Sequence, residues 1–88
     1  MNHLQELIDN KTQFFKYMSN TFPVYYKSDI FLRDVQFAIK NYFDSKKIKL
    51  SYTELENLSK ELMANLVKNN EAKPLVENKS WMLLLKLD

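Results

Sequence analysis

The chain has one histidine, His3, and no cysteine. General acid–base catalysis, nucleophilic catalysis and zinc binding draw on these two side chains more than on any others. A zinc site takes several nitrogen or sulfur ligands, and His3 has no second His and no Cys to join it. Its place beside the N-terminus reads as a solvated residue on a fraying end. Ser19, Ser28, Ser45, Ser51, Ser59 and Ser80 lack a histidine base inside a fold to activate them. Glu54 with Glu56, and Asp29 with Asp34, are spaced i,i+2 and i,i+5, so neither pair meets on one helix face. The chain also has no glycine. Phosphate-cradling loops, nucleophile elbows and dinucleotide fingerprints need it where backbone approaches ligand or φ turns positive. The expectation is a protein that is not an enzyme, with no catalytic residue, cofactor, metal or small-molecule substrate.

The elements that would position any site come next. Eighty-eight residues supply one small core, so a single domain over 1–88 is expected. A hydrophobic fraction of 45% and an aromatic fraction of 14% suit a folded chain. Without cysteine there are no disulfides, and the cytoplasm is the default location. The N-terminus has no basic start followed by an apolar run, and Trp81 to Leu85 is too short to span a bilayer.

Three helices are expected. The first covers about 2–18, with Leu4, Leu7, Ile8, Phe14, Phe15 and Met18 on a stripe that Lys11 interrupts. The second covers about 29–46, capped by Ser28 or Asp29. Its apolar set is so wide that it should be the central helix. The third covers about 52–69, where Ser51 and Glu54 form a capping box. Its stripe of Tyr52, Leu55, Leu58, Leu62, Met63, Leu66 and Val67 is unbroken, and Asn69 or Asn70 takes the left-handed stop. Between the second and third helices Ile48 and Leu50 alternate with lysines, as in a very short strand.

The last segment reads as a β-hairpin over about 73–87, with Asn78 and Lys79 as its two-residue turn. Val76 then faces Trp81 and Leu75 faces Met82. Trp81, Leu83, Leu85 and Leu87 pack on the helices, while Met82 and Leu84 point away. A short helix capped by Ser80 is the alternative, disfavoured because so short a helix has little stability of its own. The fold class is thus mainly α: a three-helix domain with a C-terminal hairpin. Its core should comprise Phe15, Met18, Phe31, Val35, Ile39, Tyr42, Leu55, Leu58, Leu62, Leu66 and Trp81.

Function is then a matter of surfaces. The connector around Pro23 carries Phe22, Val24, Tyr25 and Tyr26, and the tail carries Met82 and Leu84. This apolar surplus reads as cover for the core in part, and as a protein-binding patch in part. The partner would be another protein or a second copy, with the tail available for strand addition. The leading expectation is a non-catalytic binding module, a small regulatory or accessory factor.

Nucleic acid is the second partner class. Lys46, Lys47 and Lys49 cluster in the second connector, and Lys79 sits at the hairpin tip. From Asp29 onward the order helix, extended "IKL", helical region and hairpin resembles a winged-helix domain. That resemblance implies an α+β fold and nucleic-acid binding through these lysines. Two observations oppose it. The stripe of the third helix has no break where two crossing helices would separate. Thirteen Lys or Arg against eleven Asp or Glu leave only +2, and Lys60 and Lys68 are offset by Glu61 and Glu71. Membrane binding fits no helix, since none pairs a strongly apolar face with a lysine-rich one.

Overall fold

The computed structural model describes residues 2–87. Of the unit expected over 1–88, Met1 and Asp88 lie outside the described residues. The element order is α1 (His3–Asp9), α2 (Lys11–Met18), β1 (Asp29–Phe31), α3 (Leu32–Asp44), α4 (Tyr52–Lys68), β2 (Ala72–Val76) and β3 (Ser80–Leu83). The strands form an antiparallel sheet in the order β1-β3-β2. Among the described residues this is an α+β fold of four helices and three strands. Two of its elements correct the three-helix expectation.

The first correction is at Asn10, which divides the expected helix over 2–18 into α1 and α2. Asn10 sits at φ −118° and ψ 28°, outside the helical basin. Its side-chain amide donates to the Glu6 carbonyl at 2.9 Å, and its backbone N–H donates to the same oxygen at 3.1 Å. Asparagine competes with the backbone in this way, and the helix stops. Lys11 therefore opens α2, and its ammonium meets Glu71 at 2.5 Å.

The second correction is β1. Residues 29–31 pair with β3, with Asp29 opposite Met82, Ile30 opposite Trp81 and Phe31 opposite Ser80. Strand alternation buries Ile30 and turns Phe31 outward, 51% exposed, so Phe31 is not a core residue. Neither Ser28 nor Asp29 caps the helix. Phe31 is the N-cap and offers no side-chain bond. Instead the Leu32 N–H donates to the Lys79 carbonyl at 2.8 Å, so the hairpin tip satisfies a group that a cap would have taken.

Helices α3 and α4 end alike without glycine. The Ile48 N–H reaches back to the Phe43 carbonyl at 2.9 Å, and the Glu71 N–H to the Leu66 carbonyl at 2.7 Å. The residues before them, Lys47 and Asn70, hold φ at 62° and 60°. These are the paired bonds and left-handed residue of a Schellman stop. Ile48 and Leu50 form no strand and lie half-buried against the core. Helix α4 has the expected capping box, with Glu54 N–H to Ser51 Oγ at 3.1 Å and Ser51 N–H to Glu54 Oε1 at 3.0 Å.

The tail is a hairpin as far as Leu83, and residues 84–87, expected to continue it, lie beyond the strand. Its turn has three residues, 77–79, between paired Val76 and Ser80, and Asn78 takes φ 57°. A bulge lies between Pro74 and Val76, so Pro74 faces Trp81 and Lys73 faces Met82. The expected pairs Val76–Trp81 and Leu75–Met82 are therefore out of register. Proline lacks a ladder N–H and is tolerated on edge strands and at bulges, and β2 is an edge. Strand β3 has partners on both sides, which removes it from strand addition.

Helices cover one face of this sheet. Ile30, Trp81, Leu83 and Ala72 point into the core with Leu7, Phe14, Phe15, Val35, Ile39, Phe43, Leu62, Met63 and Leu66. Tyr42 and Leu58 pack at its margin, partly buried. Among the described residues no helix is long and apolar enough to cross a membrane.

Candidate functional site

Among the described residues the sheet's other face has no helix against it. Register sets the side chains there in rows: Asp29, Met82 and Lys73 in one, Phe31, Ser80 and Val76 in the next. Phe31 and Val76 are each about half exposed, Met82 is intermediate, and Ser80 is buried between its neighbours. At the far end of β3 this surface meets the Tyr25–Ser28 turn.

That turn is built by Ser28. Its Oγ accepts the Tyr25 N–H at 3.0 Å, and its own N–H donates to the Tyr25 carbonyl at 3.0 Å. Lys27 takes φ 69°, and its N–H bonds the Leu83 carbonyl at 2.6 Å. The result points Val24 into the core and Tyr25 and Tyr26 into solvent, 61% and 43% exposed. Lys27 and Lys86 place their ammoniums 5.6 and 5.4 Å from the Tyr26 ring centroid. Contacts of this kind at exposed sites contribute about 0.5–1 kcal/mol.

Of the six patch residues expected from sequence, the fold thus brings Tyr25 and Tyr26 together with the end of β3. Met82 and Leu84 are half-buried there, and the Leu84 N–H is held by the Glu71 carbonyl at 2.8 Å. Val24 is a core residue and leaves the patch. Phe22 is half-buried with its ring edge-on to Phe37, centroids 6.0 Å apart.

A second surface was missed. An open groove of about 1050 Å³ lies between the N-terminal ends of α3 and α4 and the hairpin tip. Phe31 and Tyr52 line it, with Tyr52 72% exposed. Around them stand Arg33, Lys60 and Lys79 against Asp34, Glu56 and Glu77. Lys60 is already bonded to Glu56 at 3.0 Å. Tyr52, expected as the first residue of the buried stripe of α4, instead turns to solvent in the first turn after the Ser51 cap. Phe31 had a sequence signal in the β-branched and aromatic pair Ile30–Phe31 just after a turn.

The four lysines of the nucleic-acid reading are not one patch. Lys79 stands at the start of α3, where its carbonyl accepts the Leu32 N–H. Lys46, Lys47 and Lys49 follow the other end, a helix of 13 residues away, or about 20 Å. Lys46 bonds the Glu6 carboxylate, and its ammonium lies 4.5 Å from the Tyr42 ring centroid and 3.3 Å from Tyr42 Oη. The Glu6 bond first, and the Tyr42 bond second, raise its pKa above the ordinary 10.5. Lys47 and Lys49 line a depression of about 640 Å³ with Lys40, Asp44 and Leu50, and Lys40 is paired with Asp44 at 2.8 Å.

His3 is not a solvated end residue. It packs edge-on against Phe43 with centroids 5.0 Å apart, and its Nδ1 is buried without a hydrogen-bond partner. Beside it Glu54 is held below the ordinary carboxylate value of 4.5, chiefly by the Ser51 backbone bond and then by the Ser51 side chain. Among the described residues no group of three or more His, Cys, Asp or Glu is placed to hold a metal ion.

No protein-family model matches the chain, and no curated protein or solved structure matches it either.

Proposed function

We propose that the chain is a non-catalytic protein-binding module, a small regulatory or accessory factor acting through the uncovered sheet face and its Tyr25–Tyr26 end. One observation carries this reading: the helices cover one face of the sheet, the other keeps Phe31 and Val76 exposed, and the turn at the end of β3 keeps Tyr25 and Tyr26 exposed. Exposed aromatic and aliphatic side chains grouped on one surface are the usual mark of a protein interface. A cytoplasmic location belongs to the same reading and rests on the lack of cysteine.

The test compares the proteins retained from source-cell extract by the immobilised chain and by its Tyr26→Ser and Leu84→Ser variants. Both variants should keep the native circular dichroism spectrum and lose retained partners. A variant that unfolds assigns its side chain to the core and removes it from the patch. Identical retention by all three chains refutes the reading.

A second reading, winged-helix-like nucleic-acid binding, has its own supporting observation. The order helix, short strand, helix, helix, hairpin is present over the chain, with Asp29–Phe31 as the short strand in place of "IKL". Charge weighs against it. Helix α4, the counterpart of a groove-entering helix, carries Glu54, Glu56 and Glu61 against Lys60 and Lys68. A phosphate-binding chain should hold duplex DNA at low salt and lose it steeply as salt rises. Lys46→Glu with Lys47→Glu should then abolish the binding. No binding at low salt removes this reading.

A further inference from the structure

We infer that the partner on the uncovered sheet face is a second copy of the chain, packed face to face about a two-fold axis running along β3. The inference rests on the protein-binding reading and goes further by naming the occupant.

The argument is complementarity. Strand order puts β1 on one side of β3 and β2 on the other. The first outer row therefore reads acid, apolar, base: Asp29, Met82, Lys73. Asp29 and Lys73 are about 10 Å apart, two strand spacings. They are exposed, and neither makes an ion pair among the described residues. A two-fold axis along β3 exchanges the β1 and β2 sides of the facing copy. Asp29 of each copy then lies over Lys73 of the other, and Met82 lies over Met82. The same operation lays Phe31 of each copy over Val76 of the other and Ser80 over Ser80. Both rows match at once, and every contact is reciprocal, as an isologous interface demands.

The alternative two-fold axis, across the strands, exchanges the rows. It sets Asp29 over Phe31 and Lys73 over Val76, burying both charges against apolar side chains without partners, which is costly. The surface thus selects one arrangement, with the two β3 strands running in the same direction and crossing at the roughly 30° usual for aligned sheets. Three short strands make a small interface, below the size typical of tight complexes. Association belongs in the micromolar range or weaker.

Sedimentation equilibrium over roughly 1–500 μM brackets that range. The mass should climb from one chain toward two. Asp29→Lys and Lys73→Asp each turn both reciprocal ion pairs into like-charge contacts and should weaken association by about tenfold or more. Mixed in equal amounts, the two variants should associate as the wild type does, because one then supplies only bases and the other only acids. The double variant should also associate with itself. Circular dichroism and melting temperature establish that each variant is folded.

A wild type that stays single over the whole range overturns the inference. So do single variants that associate as well as wild type, which would place the second copy elsewhere, and folded single variants whose mixture stays monomeric. Failure here is distinct from failure of the module reading. A monomeric chain whose Tyr26→Ser variant still loses captured proteins keeps the module and loses the second copy. A monomer with unchanged capture loses both.

Discussion

Lys47→Gly should make this protein more stable, although it adds the residue usually blamed for loose backbones. Lys47 follows α3 at φ 62° and closes the Schellman stop through its N–H to the Asp44 carbonyl at 2.9 Å. A residue with a Cβ carries about 1–2 kcal/mol of steric cost in that region, which glycine escapes. Glycine brings back about 0.5–1 kcal/mol through the greater freedom of its unfolded chain. The net is a gain of about 0.5–1 kcal/mol, or roughly 3–6 °C in melting temperature for a domain of this size. The Lys47 side chain is exposed and makes no ion pair among the described residues, so its removal subtracts little. Two controls isolate the backbone effect. Lys47→Ala keeps the Cβ and should leave stability nearly unchanged. Ser45→Gly, at φ −63° and ψ −21°, meets the entropic cost and also loses the Ser45 Oγ bond to the Tyr42 carbonyl at 2.7 Å, so it should destabilise by at least about 0.5–1 kcal/mol. Urea unfolding of the four chains, followed by tryptophan fluorescence and circular dichroism, measures all three differences. The reasoning is refuted if Lys47→Gly is no more stable than Lys47→Ala, or if both glycine variants shift in the same direction.

Leu83→Ala, in the middle strand and fully buried, should cost about 2–5 kcal/mol by loss of burial and opening of a cavity, enough to unfold much of so small a domain in a thermal scan. Ser51→Ala removes the hydroxyl half of the capping box, keeps the Ser51 N–H to the Glu54 carboxylate, and should cost about 1 kcal/mol near neutral pH. Glu54→Gln removes the charged half, and its cost should shrink in acid. The Glu54 carboxyl is depressed in the folded chain, so its contribution is complete above its ordinary value of 4.5 and fades as pH falls through the lower folded value. Urea midpoints of wild type and Glu54→Gln at pH 7 and pH 3 check this, and a constant gap would contradict the assigned cause. For Lys46 the sign is reversed. Its pKa is raised in the folded chain by Glu6 and then Tyr42, so the stability it lends holds below 10.5 and is lost as pH rises through the folded value. Glu6→Gln should bring the midpoint of that alkaline loss down toward 10.5, as a pH titration of the melting temperature would show.

Sequence alone determined the features that local rules complete within a few residues. Helix α4 was legible because its stripe, the Ser51–Glu54 box and the Asn70 stop all lie within it or next to it. The hairpin was legible from its alternation, and so was the inward side of the tail at Trp81 and Leu83. The aromatic surplus at Tyr25 and Tyr26 was visible as composition, and the turn that Ser28 builds leaves both rings in solvent. Tertiary structure decided the rest. A three-residue strand has no pattern long enough to read, and Asp29–Phe31 is extended because β3, some fifty residues later, offers it a ladder. That pairing alone turned Phe31 out, delayed the start of α3 and placed Asp29 level with Met82 and Lys73. The hairpin register escaped for a related reason: the three-residue turn shifts every pair by one residue, the bulge beside Pro74 shifts the pairs beyond it by one more, and alternation is blind to such shifts. Helices record their own periods in the chain, whereas a sheet face is assembled from strands that meet only in the folded molecule.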